Sequence, residues 1–218
     1  MTSDKLHGII HTLRKDRPLF HSEADFQHAL AWAIHKNHPD FEVRLEKREA
    51  LKGKEIYFDI CVISLDNIIP VEVKYKTSAL QRTITSRWYV EEYLLKHQAA
   101  HDISRYDFIK DIARIEEFDK GGFAVFLTND KLYWEESGYA GFDDEFKIHE
   151  GRELHGKLRW KAGTGPGTMK GRKEAIKLKG KYTLHWEEYS ELKSESFPQQ
   201  YNTTFKYLLL EVQKETSY

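Results

Sequence analysis

Two carboxylates and one lysine stand out in the stretch FDICVISLDNIIPVEVKYKT, which covers residues 58–77. Asp59, Glu72 and Lys74 lie within two runs of Ile, Val and Phe, residues that favour strands. Carboxylates held within a few ångströms of each other repel, and a divalent metal with oxygen ligands relieves that repulsion. An ammonium beside them can orient or deprotonate a water molecule, or stabilise charge on a phosphate. These residue types therefore suit metal-assisted hydrolysis if the fold brings them together.

A tight hairpin would bring them together, and we take residues 66–67 as its two-residue loop. Asp59 then lies opposite Lys74. By the same register Cys61 lies opposite Glu72, and alternation places these four residues on one face. The other face carries apolar residues suited to a core: Ile60, Val62, Val71 and Val73. An alternative stays open, because charged residues are also common on the solvated face of an antiparallel hairpin.

A further carboxylate precedes the hairpin in a predicted helix, SEADFQHALAWAIHK. Ser22 is a good N-cap and Asp25 lies three residues further on, close to a capping box. The acidic first turn therefore has an ordinary explanation in the helix dipole. Glu23 also begins a stripe at helical spacing whose other members are core-like: Phe26, Gln27, Leu30 and Ile34. Both interpretations of Glu23, helix-end charge and site residue, stay open.

The stretch QAAHDISRYDFIKDIARIEEF predicts a second helix. Gln98, Asp102 and Arg105 have i, i+4, i+7 spacing, so they would share one helix face. In the functional interpretation this face lies over the metal site, with Gln98 and Arg105 touching the scissile or a neighbouring phosphate. In the alternative it is a solvated face with an Asp102–Arg105 pair.

The loop KAGTGPGTMKGRK lacks the GK[ST] ending of a nucleotide-binding phosphate loop and follows no obvious strand. Its cations are Lys170, Arg172 and Lys173. They could grip a nucleic-acid backbone, because phosphate contacts need cations but no sequence code. A loop that is merely solvated is the alternative.

The order of predicted helices and strands indicates an α/β (α+β) fold with a central mixed β-sheet flanked by helices. We expect one domain, with a core over about 20–135, an elaboration over about 136–181 and C-terminal strands over about 182–214. The part after the core is expected to be peripheral and loop-rich. For ALQRTITSRWYVEEYLLK we favour a hairpin over a helix.

Composition limits the function classes. The chain has 218 residues, 40% of them hydrophobic, which is enough for the core of about one domain. Lys and Arg (34) nearly balance Asp and Glu (35), so a nucleic-acid role must rest on local patches. A single cysteine, Cys61, suits a reducing cytoplasm. With no signal-peptide pattern and no run near the roughly 20 apolar residues of a membrane span, we expect a cytoplasmic protein without membrane contact.

The arrangement of these residues resembles the PD-(D/E)xK nuclease superfamily, whose fold is restriction-endonuclease-like. Glu23 lies in the first helix, and Asp59 is followed, after twelve intervening residues, by Glu72-Val-Lys74. Phe58 stands where the motif's name has proline. The stretch HQAAHDISRYDFIKDIARIE also resembles the helix after the motif in stand-alone bacterial members, most of them uncharacterised. The resemblance covers about 20–135, and a vaguer similarity continues to FKYLLLEV.

The resemblance implies a site for Mg²⁺, with Mn²⁺ as a substitute. Asp59, Glu72 and the backbone carbonyl of Val73 would bind the metal directly, and Glu23 would be an outer or second-metal ligand. Lys74 would position the attacking water and stabilise the developing charge. The implied activity is hydrolysis of phosphodiester bonds. Among proteins with this activity, the resemblance favours a DNA endonuclease of restriction, repair or defence type.

A second function class fits the same residues. The chain could be a non-catalytic module on the same fold that binds nucleic acid or protein and keeps its carboxylates as a structural polar cluster. It would then lack affinity for Mg²⁺ and show salt-sensitive binding through its cations. DNA is the partner that we expect, and the sequence is also compatible with a homodimer.

Overall fold

The computed structural model describes residues 1–65, 67–85, 88–118, 120–192 and 202–213. The α-helices in these ranges are α1 (Ser3–Asp16), α2 (Glu23–Asn37) and α3 (His101–Phe118). The strands are β1 (Glu42–Leu51), β2 (Lys54–Ser64), β3 (Asn67–Lys76), β4 (Leu80–Thr85), β5 (Val90–Leu95), β6 (Gly122–Thr128), β7 (Glu153–Leu158), β8 (Ile176–Thr183), β9 (Trp186–Glu191) and β10 (Thr204–Val212). None of the helices described is long and apolar enough to cross a membrane.

Six strands form the central sheet, in the order β1-β2-β3-β6-β10-β9. β3 and β6 run parallel, and the other neighbouring strands run antiparallel. The chain passes from β3 to β6 through the β4–β5 hairpin and α3, since parallel neighbours need a long crossover. The predictions of a mixed α+β fold with a central mixed sheet, and of a hairpin at β4–β5, are confirmed.

The two faces of the sheet bury different helices. Helices α1 and α2 pack on the face that carries the predicted apolar set Ile60, Val62, Val71 and Val73. Helix α3 packs on the opposite face, against Phe58, Cys61, Ala124 and Phe126. The two helices with predicted site residues therefore approach the sheet from opposite sides.

The β2–β3 hairpin has a different register from the predicted one. Ser64 pairs with Asn67, so the loop is 65–66, and Asp66 lies outside the described residues. Leu65, the described loop residue, has a left-handed φ of 52°, which suits a tight hairpin turn. Cys61 lies opposite Pro70 and not Glu72, and the predicted pairing of Asp59 with Lys74 is also wrong. Because the shift is two residues, the alternation of faces along β3 is unchanged.

Helix α1 is an element that the sequence analysis did not predict. Its apolar positions follow the i, i+3, i+4, i+7 spacing of an amphipathic helix, and all are buried: Leu6, Ile9, Ile10 and Leu13. The Thr2 hydroxyl caps the helix by accepting a hydrogen bond from the Lys5 N–H. The signal for α1 was therefore present in the sequence.

The region after residue 136 is less peripheral than predicted. Strands β7 and β8 form a separate two-stranded sheet that packs on α3 and buries Leu154, Leu158, Ile176 and Leu178. Strand β10 lies inside the central sheet, between β6 and β9. The long segments around these strands are loop-rich, as expected. Residues 193–201 and 214 of the predicted C-terminal strands lie outside the described residues.

Candidate functional site

The candidate site lies where β2 separates from β3. Pairing between these strands ends at Ile60 and Val71. On the other side of β2, Glu46 has a left-handed φ of 48° and forms no strand pair with Asp59. The buried Gln27 amide stabilises this irregularity by donating to the Asp59 carbonyl (2.6 Å) and to the Glu46 carboxylate (2.8 Å). The separation leaves one edge of β3 open from residue 72 onward.

The irregularity also interrupts the alternation of side chains along β2. Phe58 and Cys61 both pack on the α3 face although they are three residues apart. Simple alternation therefore does not hold around Asp59, although Asp59 still lines the same cleft as Lys74. Its carboxylate points instead to the open edge of β3, where it accepts a hydrogen bond from the Val73 N–H at 2.8 Å.

Two carboxylates cap this open edge. Val73 N–H donates to Asp59, and Tyr75 N–H donates to Glu23 Oε2 at 2.8 Å. Backbone groups without a strand partner need another one, so this capping has a structural benefit of its own. The Val73 carbonyl points to the same edge as its N–H and accepts from Lys74 Nζ at 3.3 Å. The open edge thus gathers three of the predicted oxygen ligands.

Glu72 lies beside this edge on the α3 face and is 1% exposed. Its Oε1 accepts from Arg114 Nη2 at 2.5 Å, whereas Oε2 is buried without a hydrogen-bond partner among the described residues. Burial raises the pKa of Glu72 well above its ordinary value, and the negative charges of Asp111 and Asp59 add to this shift against the opposing effect of Arg114. The second oxygen of Glu72 is therefore a carboxylate position that lacks a cation or donor.

Lys74 is held as a cation. Its Nζ lies 2.7 Å from Asp111 Oδ2, and its side chain is 16% exposed. Burial lowers the pKa of Lys74, but the carboxylates of Asp111 and Asp59 outweigh that effect and raise it above the ordinary value. A lysine that keeps its proton can orient a water molecule or stabilise an anion, but it is a poor base. The structure thus favours the charge-stabilising role over deprotonation of water.

Helix α3 supplies two site residues that the sequence analysis missed, Asp111 and Arg114. Arg114 Nη2 donates to both Glu72 and Asp111, the latter at 2.9 Å. Asp111 is buried, and burial raises its pKa although Lys74 and Arg114 act in the opposite direction. Ser104, Asp107, Asp111 and Arg114 recur every three or four residues, so they form one polar stripe of α3. That spacing was the available signal.

These residues border a cleft with a volume of about 600 Å³. Glu23, Asp59 and Lys74 line it from α2 and the sheet, while Asp111 and Arg114 line it from α3. Glu72 lies beneath them. The structure therefore brings together four of the predicted site residues, Glu23, Asp59, Glu72 and Lys74.

Gln98 does not lie on α3, and its part in catalysis stays a prediction. Helix α3 begins at His101, so Gln98 precedes it and cannot share a helix face with Arg105. Its backbone N–H donates to the Thr77 carbonyl at 2.8 Å, and its side-chain oxygen accepts from the Thr77 N–H at 3.3 Å. Gln98 thus secures the chain just beyond β3.

Arg105 faces away from the cleft. Its guanidinium donates to Asp143 at 2.6 Å and to the Leu132 carbonyl at 2.5 Å. The alternative Asp102–Arg105 pair is not formed either, because the Asp102 carboxylate accepts from the Ile103 N–H and the Thr168 hydroxyl. Arg105 therefore secures the segment after β6 in this structure, and its contact with a phosphate stays a prediction.

The basic loop is attached to α3 near the cleft. Arg172 forms a two-pronged pair with Asp107, at 2.8 and 2.6 Å, and its carbonyl accepts from Trp160 Nε1. The charge of Arg172 is thus already matched by a carboxylate. Lys170 and Lys173 are exposed, and their contact with nucleic acid stays a prediction.

The donor set fits a hard divalent cation such as Mg²⁺. Mg²⁺ prefers oxygen ligands and is usually held by one or two carboxylates together with water. Asp59 and Glu72 supply such carboxylates, and Glu72 Oε2, which has no partner among the described residues, is the position that a cation would satisfy. Within the described ranges no three His, Cys, Asp or Glu side chains are already gathered as ligands of one ion. The Val73 carbonyl is a further oxygen at the same edge.

Comparisons of the chain with protein-family models, with curated proteins and with solved structures find no match. The case for a function therefore rests on the geometry of the cleft.

Proposed function

We propose that this protein is a Mg²⁺-dependent nuclease with a restriction-endonuclease-like core, and that its activity is that of a DNA endonuclease. The observation that carries the proposal is that Asp59 and Lys74 line one cleft while Glu72, buried next to them, pairs with the cleft residue Arg114. Glu72 Oε2 has no hydrogen-bond partner among the described residues. The central mixed sheet, with these residues on β2 and β3 and helices on both faces, supports the proposed core.

Each group has a separate role in the proposed reaction. Asp59, Glu72 and the Val73 carbonyl would hold the metal, which when bound supplies Lewis-acid stabilisation of the scissile phosphate. Lys74, protonated beside Asp111, stabilises the negative charge that grows during in-line attack by water. Glu23 stays at the outer position because it accepts from the Tyr75 N–H. Mn²⁺ would substitute for Mg²⁺, since both accept oxygen ligands.

The test compares plasmid nicking by the wild type, Asp59→Asn and Lys74→Met in Mg²⁺, at a temperature where circular dichroism shows each protein to be folded. Asn keeps an oxygen for the Val73 N–H, so the fold should survive while a metal ligand is lost. We expect nicking to fall by about 100-fold or more in each variant, the size seen when one transition-state contact is removed. Asp40→Asn, an exposed aspartate outside the cleft, is the matched control and should nick at the wild-type rate. Equal rates for Asp59→Asn and wild type would overturn the proposal.

One observation favours the second function, a non-catalytic nucleic-acid- or protein-binding module. Asp59 and Glu23 each accept a hydrogen bond from a backbone amide, and Glu72 is paired with Arg114. These three carboxylates therefore stabilise the fold even without a metal. This alternative predicts no uptake of Mg²⁺ by the wild type and no nicking.

Either function is compatible with a homodimer. Light scattering would measure the oligomeric state.

A further inference from the structure

Tyr57 is an exposed aromatic residue on the wall of the cleft. It lies on β2 two residues before Asp59, lines the same cleft and is 51% exposed. Phe58, next to it in the chain, is fully buried. A large ring left half in water beside a charged cleft offers a flat surface to a ligand with its own flat face.

Lys110 lies on α3 and lines the same cleft from the helix side. The cleft's other cations are matched by carboxylates: Lys74 pairs with Asp111, Lys76 with Glu23, and Arg114 with Glu72. Lys110 is exposed and forms no ion pair with any described residue. It is therefore the cleft cation with its charge available for a phosphate.

We propose that Tyr57 and Lys110 form a nucleotide subsite, in which an unpaired base stacks on the Tyr57 ring and its phosphate pairs with the Lys110 ammonium. The inference deepens the proposed nuclease function and rests on it for the class of substrate. A base inside a duplex is covered on both faces by its neighbours, so it must leave the stack to reach a side chain. The substrate is therefore single-stranded or locally unpaired nucleic acid.

Aromatic stacking suits this substrate because every base has a flat face, whatever the sequence. The short span of β2 between Tyr57 and Asp59 would place the stacked base next to the phosphate at the metal site. Stacking on Tyr57 would thus let a single strand bind near the carboxylates. Such binding does not need the strong overall positive charge that tight duplex binders carry.

The test measures binding of a fluorescent oligothymidine by anisotropy at low salt, with a duplex of the same length as the comparison. All proteins carry Asp59→Asn, which blocks the proposed cleavage. We expect the parent to prefer oligothymidine over duplex. Adding Tyr57→Ala should weaken oligothymidine binding about tenfold, as expected for the loss of one base–aromatic stack. Adding Lys110→Ala should also weaken oligothymidine binding. The slope of log binding constant against log salt concentration should become shallower by about 0.7, the value for one phosphate contact on a single strand.

Two control variants separate stacking from general effects. Tyr57→Phe keeps the ring and should bind like the parent. Tyr139→Ala removes another exposed tyrosine that is not part of the cleft lining, and it should also leave binding unchanged. Oligothymidine binding that is equally tight with Tyr57→Ala, a preference for duplex, or no binding at all would each overturn the inference.

The outcome is separable from that of the proposed function. Nicking by the wild type together with unchanged binding by Tyr57→Ala would remove the subsite and leave the nuclease proposal. Tyr57-dependent binding of oligothymidine by Asp59→Asn, with no cleavage of either plasmid or oligothymidine by the wild type in Mg²⁺, would keep the subsite and remove the nuclease proposal.

Discussion

The cleft has two regions that hold their carboxylates in different ways. At the open edge of β3, Asp59 and Glu23 each accept a hydrogen bond from a backbone amide and remain partly exposed. In the ion-pair layer between β3 and α3, which comprises Glu72, Lys74, Asp111 and Arg114, carboxylates are buried and depend on side-chain cations. The open edge is positioned by the backbone, whereas the ion-pair layer is positioned by charge.

This difference predicts different tolerances to mutation. A backbone amide is satisfied by any side-chain oxygen, so the open edge should accept neutral isosteres. A buried charge is stabilised only by its partner, so the ion-pair layer should not tolerate the loss of one member. The predictions below test that contrast.

The largest effect is expected from Arg114→Met. The change leaves Glu72 without its cation and removes one of the two cations of Asp111, and loss of one partner of a buried pair costs about 3 kcal/mol. Urea unfolding, followed by tryptophan fluorescence, measures the free energy of unfolding. Arg172→Met, which breaks the more exposed pair with Asp107, is the matched control and should cost less than about 1 kcal/mol. Similar losses for both variants would contradict the distinction between buried and exposed pairs.

A smaller effect is expected from Gln27→Leu. The substitution leaves the Asp59 carbonyl and the Glu46 carboxylate without the amide that joins them, at a cost of about 1–3 kcal/mol. Because the same amide fixes the separation of β2 from β3, nicking should also fall. The comparison is Gln27→Glu, which keeps the shape but removes the donor and should behave like Gln27→Leu. If Gln27→Leu had wild-type stability, the amide would not hold the irregularity.

Substitutions at the open edge that keep a side-chain oxygen should change the free energy of unfolding only a little. Asp59→Asn and Glu23→Gln each keep an oxygen that can accept from the strand amide, so unfolding free energies should stay within about 1 kcal/mol of wild type. Asp59→Ala removes the acceptor and should be less stable than Asp59→Asn. Thermal and urea unfolding of the three variants give the ranking, and equal stability of Asn and Ala at position 59 would show that the capping bond contributes nothing.

The smallest effect on activity is expected from Arg105→Ala. Its guanidinium pairs with the mostly buried Asp143 carboxylate and contacts the Leu132 carbonyl, so the substitution should lower the free energy of unfolding by about 1–3 kcal/mol. Nicking by the folded variant should stay within about twofold of wild type. A large loss of nicking at a temperature where the variant is still folded would place Arg105 on the substrate.

The sheet half of the cleft was more predictable than the helix half, for a geometric reason. Asp59, Glu72 and Lys74 lie on neighbouring strands joined by a tight turn, so a two-residue error in register still left Glu72 and Lys74 on the same face. The departure at Asp59 arises from Glu46 and Gln27, which are distant in sequence, and period-two alternation contains no trace of it.

Helix α3 was predicted as an element, but its start and its orientation were not. The start matters because Gln98 lies before His101, and the orientation decides whether Arg105 or Arg114 faces the sheet. Both arginines belong to regular polar stripes, so spacing alone could not choose between them. The choice depends on which stripe meets Glu72 and Lys74, and that is a property of tertiary packing.

The most direct test of the account is calorimetric titration of Mg²⁺ into the wild type, Asp59→Asn and Glu72→Gln, with Asp40→Asn as the control. The account predicts one saturable binding event in the wild type and in Asp40→Asn, and its loss in the other two variants, because both carboxylates are required as ligands. A cation that binds only the folded protein also raises its stability, so Mg²⁺ should increase the melting temperature of the wild type alone among the site variants. Equal heats for wild type and Asp59→Asn, or no binding by the wild type, would contradict the claim that this cleft is a metal site.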